Sequence, residues 1–187
     1  MAVKSFMVPL GTPVPAFALP SLDGEIVSSD GLAAGRPLLV MFLSNHCPYV
    51  RHIERELGLL VAEHADDVAA VAICSNDIEN YPDDGPAGLA EQVHRAGFTF
   101  PYLLDETQQV ALAYQAACTP DFFLYDAAGT LAYRGEFDGS RPGNDVPVTG
   151  QALRAALELV LAGRPVGEVQ MPSLGCGIKW KPGNEPA

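Results

Sequence analysis

Residues 37–50, PLLVMFLSNHCPYV, are the stretch that decides the fold. Their first part, Pro37–Ser44, is a continuous apolar run between Gly35 and Asn45, which is typical of a strand buried on both faces of a sheet. The segment that follows, Pro48–His64, repeats apolar residues every three or four positions and therefore predicts a helix. A buried strand that turns directly into a helix begins a strand–helix–strand crossover, so we expect a parallel strand pair.

Downstream, strands and helices continue to alternate until a hairpin interrupts the order. The predicted elements are a strand over Val68–Cys74, a helix from Pro86 to about Arg95 capped by Asp84 or Gly85 and stopped at Gly97, a short strand within Phe98–Leu104, a helix over Glu106–Ala116, strands over Asp121–Tyr125 and Leu131–Glu136, and a last helix over 151–162. The last two strands are joined by a short turn, which predicts a hairpin and not a crossover. Thr149, a common N-cap residue, is expected to open the last helix.

The two ends of the chain add to this unit. Ala16–Leu19 and Glu25–Ser28 flank a turn and predict a small N-terminal β-hairpin, whereas residues 165–187 are rich in proline and glycine and predict a C-terminal tail. Together the patterns predict one domain over residues 1–187 of the α/β class. Its expected architecture is three layers, α/β/α, around a central mixed β-sheet, which is the thioredoxin-like arrangement.

Composition restricts the partners and the compartment. The 187 residues carry a net charge of −12, so we expect neither nucleic acid nor a membrane as a partner. The N-terminus has no apolar run of the kind found in a secretory signal, and the four cysteines, at 47, 74, 118 and 176, are too scattered for a disulfide scaffold. A cytoplasmic location is therefore the expectation, and the oligomeric state is left open.

Cys47 is the residue with the clearest chemical potential. It precedes Pro48, a residue suited to the first helical position, so Cys47 falls at the N-terminus of the predicted helix. Unpaired backbone N–H groups and the positive end of the helix dipole favour an anion there, and the thiolate is the nucleophilic form of cysteine. His46 and Arg51 are expected to add positive charge nearby.

A second feature is the Thr119-Pro120 pair, which stands at the entrance of the strand Asp121–Tyr125. A proline in this place can follow a cis peptide bond and present its backbone to a neighbouring loop. We expect Pro48, Thr119 and Pro120 to line the binding site for substrate around Cys47.

Four stretches carry a family resemblance. They are Asn45–Val50 (NHCPYV), Pro101–Glu106 (PYLLDE), Thr119–Tyr125 (TPDFFLY) and Gly175–Pro186 (GCGIKWKPGNEP). With them the chain resembles the redoxin (AhpC/TSA) branch of the thioredoxin-like superfamily and is similar to a peroxiredoxin-like group of bacterial proteins. The resemblance implies a thioredoxin fold, an antioxidant or thiol oxidoreductase activity, Cys47 in the place of the first active-site cysteine, and Pro120 as the cis-proline.

The sequence also departs from the family pattern. The second cysteine of a C-x-x-C motif would stand at position 50, where this chain has Val50. Cys47 therefore needs a second thiol from elsewhere, and both Cys118 and Cys176 are candidates for attacking a mixed disulfide or sulfenic acid at Cys47. Cys74 ends an apolar strand and is interpreted as a core residue.

Three functions follow from these residues as hypotheses. The leading one is a thiol–disulfide oxidoreductase in which Cys47 is the nucleophile and Cys118 or Cys176 resolves the product. The second is an atypical thiol peroxidase that uses Cys47, and the third is a thioredoxin-fold binding protein with little catalysis. The expected partners are protein or small-molecule thiols and disulfides, with peroxides as a further class.

Other candidate sites lack support in the sequence. His46, Cys47 and His52 have no second cluster at zinc-like spacing, so no metal is expected, and no nucleotide motif indicates another cofactor. The pairs Asp83-Asp84 and Asp66-Asp67 are interpreted as solvated caps and not as acid–base pairs.

Overall fold

The structure, a computed structural model, describes residues 2–186, and a five-stranded mixed sheet lies at its centre. The strands of the described chain are β1 (Ala2–Lys4), β2 (Ala18–Pro20), β3 (Ile26–Ser28), β4 (Leu38–Phe42), β5 (Ala69–Cys74), β6 (Tyr102–Leu104), β7 (Cys118–Thr119), β8 (Asp121–Tyr125), β9 (Leu131–Gly135) and β10 (Leu174–Gly177). The α-helices are α1 (Ser29–Ala33), α2 (Pro48–Glu63), α3 (Pro86–Ala96), α4 (Gln109–Tyr114) and α5 (Gln151–Leu161), and a short 3₁₀ turn covers Pro82–Asp84.

The central sheet has the order β6-β5-β4-β8-β9. Strand β4 pairs in parallel with β5 and antiparallel with β8, so Val40 lies between Val71 and Phe123. The parallel pair is joined through α2, as the sequence predicts, and β8 and β9 form the predicted hairpin. This is the thioredoxin-like mixed α/β fold expected from the order of the elements.

Both faces of the sheet are covered because alternate residues of the apolar strands point to opposite sides. Leu39 and Met41 of β4 enter a core formed with α2, α3 and α5. Val40 and Phe42 enter the other core, where α4 and the N-terminal segment pack. A continuous apolar run is therefore what a strand at this central position requires.

A second, smaller sheet has the order β1-β10-β7 and joins both ends of the described chain to the loop before β8. Strand β10 runs antiparallel to β7 and places Cys176 opposite Thr119 and Gly177 opposite Cys118. On its other edge β10 pairs with β1. Part of the segment expected as a tail is thus a strand of this sheet, and the small N-terminal hairpin β2–β3 is present as predicted.

The beginning of the last helix differs from the prediction. Gly150, and not Thr149, is its N-cap residue and has a positive φ of 65°. The Asp138 carboxylate accepts hydrogen bonds from the N–H groups of both residues, each at 2.7 Å. A side chain at 150 would meet Leu60 and Phe137 at 2.6 Å, so packing selects glycine here over a better capping residue.

The fourth helix is also shorter than the predicted range Glu106–Ala116. Its N-cap, Gln108, has a positive φ, and the residues before it form a turn around the buried Asp105. The Asp105 carboxylate accepts from the Ser75 hydroxyl at 2.8 Å and from the Ala111 N–H at 2.9 Å. Within the described residues, no helix has the length and apolar character needed to cross a membrane.

Helix α2 offers a direct test of this packing. Leu57 is fully buried against the sheet, whereas Leu59 on the same helix is 53% exposed. We expect Leu57→Ala to lower the free energy of unfolding by about 2–5 kcal/mol, because it removes buried apolar atoms and leaves a cavity. The matched Leu59→Ala variant is expected to change it by less than about 0.5 kcal/mol. Equal effects in urea unfolding would contradict the placement of α2.

Candidate functional site

Cys47 lies at the junction of the central sheet and α2, where it is the N-cap residue of the helix. Pro48 occupies the first helical position, as expected. The Cys47 side chain is only 1% exposed, and its thiol donates a hydrogen bond to the carbonyl oxygen of Thr119 at 3.1 Å. The structure therefore places the sulfur between the N-terminus of α2 and the loop that leads into β8.

The Thr119–Pro120 peptide bond is cis, as the resemblance implies. Thr119 ends β7, and its carbonyl oxygen is the group that accepts the Cys47 thiol. Its hydroxyl oxygen is buried and has no hydrogen-bond partner. The structure thus brings the Thr119–Pro120 loop to Cys47, and the lining of a substrate site by these residues stays a prediction.

Cys176 reaches the same place from the C-terminal segment. It is half-buried in β10 directly opposite Thr119. Its pKa is raised to about 11, first by burial and then by the neighbouring Cys47. Cys47 and Cys176 therefore both lie beside Thr119, although 128 residues stand between them in the sequence.

Cys118 has a different position. It precedes Thr119 in β7, so its side chain points to the opposite face of the small sheet. Its thiol is fully buried and donates to the Pro120 carbonyl oxygen at 3.5 Å. Burial raises its pKa, and the nearby Asp121 carboxylate raises it further. Of the two candidate partners of Cys47, only Cys176 lies on the same face of this sheet as Thr119.

The position of Asp84 differs from the prediction. The sequence predicts a solvated cap at Asp83-Asp84, but Asp84 is fully buried, whereas Asp83 is exposed. The Asp84 carboxylate accepts hydrogen bonds from the Ser44 hydroxyl, the Asn76 amide, and the backbone N–H groups of Asn45 and His46. Its Oδ2 also lies 2.7 Å from His46 Nδ1. These donors compensate for the loss of water around a buried carboxylate.

The consequence is a fixed loop immediately before Cys47. Residues Ser44, Asn45 and His46 all bind the one Asp84 side chain, and Arg51 closes the loop from the helix by donating to the Asn45 carbonyl oxygen at 2.7 Å. His46 stacks on Tyr81, with the ring centres 5.4 Å apart. The two basic residues expected near Cys47 thus hold its loop through specific contacts.

A sequence signal for this cluster exists, but it is indirect. Strands β4 and β5 are parallel neighbours, and each is followed by polar residues, Ser44–His46 and Ser75–Asp77. The carboxyl ends of parallel strands meet at one edge of a sheet, which is where polar sites form. Asp84 itself comes from a later turn, and nothing in its local sequence distinguishes it from a surface residue.

Asp121 is another buried acid that the sequence analysis did not identify. It follows Pro120 and is fully buried, and its Oδ2 accepts from the Ala117 N–H at 3.2 Å. Its other carboxylate oxygen has no partner. Burial raises the pKa of Asp121 to about 7. An acid that retains its proton near neutral pH therefore lies directly behind the Thr119–Pro120 loop.

The remaining candidates do not add a site. Cys74 is buried in the core, where burial and the Asp84 charge raise its pKa. Among residues 2–186 there is no group of three or more His, Cys, Asp or Glu side chains arranged to hold a metal ion.

Comparison with known proteins shows which family the chain matches. Residues 10–134 match the AhpC/TSA family. The chain is 28% identical over 127 residues to the thiol:disulfide interchange protein DsbE of Escherichia coli, and this match covers 67% of the chain and 64% of that protein. The chain therefore spans slightly less than two thirds of the length of this curated relative.

Solved structures extend the comparison. An uncharacterized conserved protein from Geobacillus kaustophilus is 49% identical, with a TM-score of 0.94 and 97% coverage of both chains. A secreted Mycobacterium tuberculosis disulfide oxidoreductase homologous to E. coli DsbE has a TM-score of 0.60 at 18% identity, covering 76% of this chain and 94% of that one. The second likeness shows a shared fold.

The neighbouring acids Asp83 and Asp84 provide a matched test of the loop. We expect Asp84→Asn to lower the free energy of unfolding by about 3–5 kcal/mol, because the amide presents donors to groups that are themselves donors. Asp83→Asn, at an exposed position, is expected to change it by less than about 0.5 kcal/mol. Urea unfolding of the reduced protein measures both, and an unaffected Asp84→Asn variant would refute the role assigned to this carboxylate.

Asp121 predicts a pH dependence of stability. Because its pKa is about 7 in the folded chain, against its ordinary value of 3.8, the folded state binds more protons than the unfolded state between these pH values. Its contribution to stability is present below about pH 4 and is lost as the pH rises through about 7.

The Asp121→Asn variant replaces the titrating carboxyl group with a neutral amide. Relative to the original chain, it is expected to gain up to about 4 kcal/mol of stability between pH 4 and pH 8. Urea unfolding under reducing conditions at several pH values measures the difference. A stability difference that stays constant over this range would contradict the protonation of Asp121.

Proposed function

The chain belongs to the AhpC/TSA family, and on that premise we propose that it is a thiol–disulfide oxidoreductase whose redox-active pair is Cys47 and Cys176. The observation that carries the proposal is the position of Cys176 directly opposite Thr119, whose carbonyl oxygen accepts a hydrogen bond from the Cys47 thiol. Its fold is that of thiol–disulfide oxidoreductases, and one of its relatives is named a thiol:disulfide interchange protein. The pair would replace the C-x-x-C motif that Val50 interrupts.

The location of Cys47 supports its role as the nucleophile. It stands at the N-terminus of the 16-residue helix α2, where backbone N–H groups without helical partners favour a negative charge. Cys176, by contrast, has a raised pKa and keeps its proton while Cys47 reacts. A nucleophilic thiol beside a neighbour that stays protonated is suited to sequential attack and resolution.

The reaction would proceed in two displacements. The Cys47 thiolate attacks one sulfur of a substrate disulfide R–S–S–R, which forms a Cys47–S–S–R mixed disulfide and releases one RS⁻. Cys176 then loses its proton to solvent, and its thiolate attacks the Cys47 sulfur and releases the second RS⁻. The substrate gains two electrons and becomes two RSH after protonation, and the protein becomes the Cys47–Cys176 disulfide. A reducing thiol regenerates the pair by the reverse exchange.

Cys176 is a better resolving candidate than Cys118. Cys118 is fully buried on the other face of β7, and both burial and Asp121 disfavour its thiolate. Cys176 is half-buried, so its proton can leave to solvent. Pro48, Thr119 and Pro120 would form the walls around the reacting sulfurs.

A thiol peroxidase is the second candidate, and the burial of Cys47 favours it. A sulfur that is 1% exposed admits a small hydroperoxide more readily than a bulky disulfide. The Cys47 thiolate would attack one peroxide oxygen, release water or an alcohol, and become a sulfenic acid, which Cys176 would convert to the same disulfide with loss of water.

The cytoplasmic location and the antioxidant role stay predictions.

Cysteine variants test the proposal. We expect Cys47→Ser to lose disulfide reductase activity by about a thousandfold or more, because no thiolate remains at the helix N-terminus. Cys176→Ser is expected to give one stoichiometric burst and then stop as a Cys47 mixed disulfide. Cys118→Ala should turn over within about threefold of the original chain.

The measurements are turnover with a disulfide, mass mapping of the oxidised protein, and the same assays with hydrogen peroxide. A mapped Cys47–Cys176 link supports the pair, and peroxide-dependent turnover would favour the second candidate. A Cys47–Cys118 link, or full activity in Cys47→Ser, would refute the proposal. A protein that forms no mixed disulfide at all would be a binding protein on a redox fold.

A further inference from the structure

We propose that β10 occupies the position on β7 where an extended protein substrate would pair, so that Cys47 acts on small-molecule disulfides and not on protein disulfides. This inference rests on the proposed function and specifies its substrate class. The surface in question is the edge of β7. An extended peptide binds a sheet by adding a strand to an exposed edge, and β7 beside Cys47 is the strand that could offer one.

That edge is already filled. The chain's own β10 pairs antiparallel with β7, and beyond the strand the Ile178 N–H donates to the Ala117 carbonyl oxygen at 3.2 Å. Cys176 stands opposite Thr119, which is where a cysteine of a bound peptide would have to lie to reach Cys47. The other edge of β10 is in turn covered by β1.

Gly175 shows how closely β10 fits. A Cβ atom built on Gly175 would lie 2.0 Å from the Thr119 carbonyl oxygen and 2.6 Å from its carbon. Any residue other than glycine would push β10 away from the carbonyl that also accepts the Cys47 thiol. The absence of a side chain at 175 is therefore what allows the strand to lie directly on the site.

The strand is held at both ends and is not built as a mobile lid. Before β10, Ser173 and Ser5 exchange two hydrogen bonds of 3.0 Å, from the N–H of each residue. After β10, the Lys179 N–H donates to Asn76 Oδ1 at 2.8 Å, and the Lys179 carbonyl oxygen accepts from Gln108 and from the Asp77 N–H. A protein that displaced β10 would have to replace all of these hydrogen bonds.

The space beside the strand also favours a small substrate. A narrow cleft lined by Tyr49, Pro120, Arg141 and Leu174, among other residues, encloses a volume of only about 10 Å³. Ordinary ligand pockets measure about 300–1,000 Å³, so this cleft has room for about one water molecule and none for an extended peptide. It borders both the cis-proline and the first residue of β10.

The experiment compares one small and one protein disulfide in single turnover. The probes are insulin and glutathione disulfide, a small disulfide whose leaving thiol resembles that of a protein cysteine in pKa. The protein is the Cys176→Ser variant of the whole chain, in which the Cys47 mixed disulfide is retained. Gly175→Ala is then added to displace β10. Gly177→Ala is the matched control on the same strand, because its Cβ would meet only the Val3 side chain, at 3.2 Å.

We expect the protein with native β10 to react about a hundredfold or more slowly with insulin than with the small disulfide. Gly175→Ala should lower the ratio of the small-disulfide rate to the insulin rate by about tenfold or more. Gly177→Ala should leave that ratio within about twofold of its value in the native strand. Equal rates with both probes in the native strand would overturn the inference, as would a ratio that Gly175→Ala does not change while circular dichroism shows a folded protein.

Failure of the proposed function gives a different result, because Cys47 would then react with neither probe. If Gly175→Ala does not fold, the ratio measured with the native strand still decides the inference. A protein that reduces insulin as fast as the small disulfide acts on protein substrates, and β10 must then leave the site during the reaction.

Discussion

The carbonyl oxygen of Thr119 is the point on which the arrangement of the site depends. It accepts the thiol of Cys47, it belongs to the residue that precedes the cis-proline, and the Gly175 backbone lies against it. Three segments that are remote in sequence therefore meet at one backbone group. Moving any of them would separate Cys47 from Cys176, because β7 is the common support of both contacts.

The order of the elements and the position of Cys47 could be predicted from local sequence. Apolar runs specify β4 and β5, and Pro48 marks the start of α2, so the N-terminal placement of Cys47 follows from short-range rules. The partner thiol could be narrowed only to Cys118 or Cys176. That choice depends on the pairing of β10 with β7, which is a contact between residues almost 60 positions apart and has no local signal.

Asp84 shows the same limit for polar residues. In the sequence it resembles its exposed neighbour Asp83, because both lie in a proline- and glycine-bounded turn. Its burial is tolerable because donors arrive from Asn76 and from residues about 40 positions earlier. Gly150 illustrates the corresponding limit for capping, since tertiary contacts with Leu60 and Phe137 override the better capping residue beside it. Local preference fails at these positions because the deciding partners are distant.

Asp84 also determines which backbone donors remain for the sulfur of Cys47. A buried carboxylate near a thiol opposes the thiolate, as its effect on Cys74 shows. The N–H groups of Asn45 and His46, however, point to Asp84 and balance its charge. The donors on the other side of Cys47 belong to the first turn of α2, where Pro48 has no N–H and the Arg51 N–H binds the Cys47 carbonyl oxygen.

The N–H groups of Tyr49 and Val50 are then the first-turn donors that can face a thiolate. Because these are backbone groups, they do not depend on the side chain at either position. The valine at position 50 therefore leaves the chain without a local resolving thiol but does not remove these two N–H donors. In the proposed mechanism, activation and resolution are separate: the helix N-terminus would activate Cys47, and a strand from the far end of the chain would supply the second sulfur.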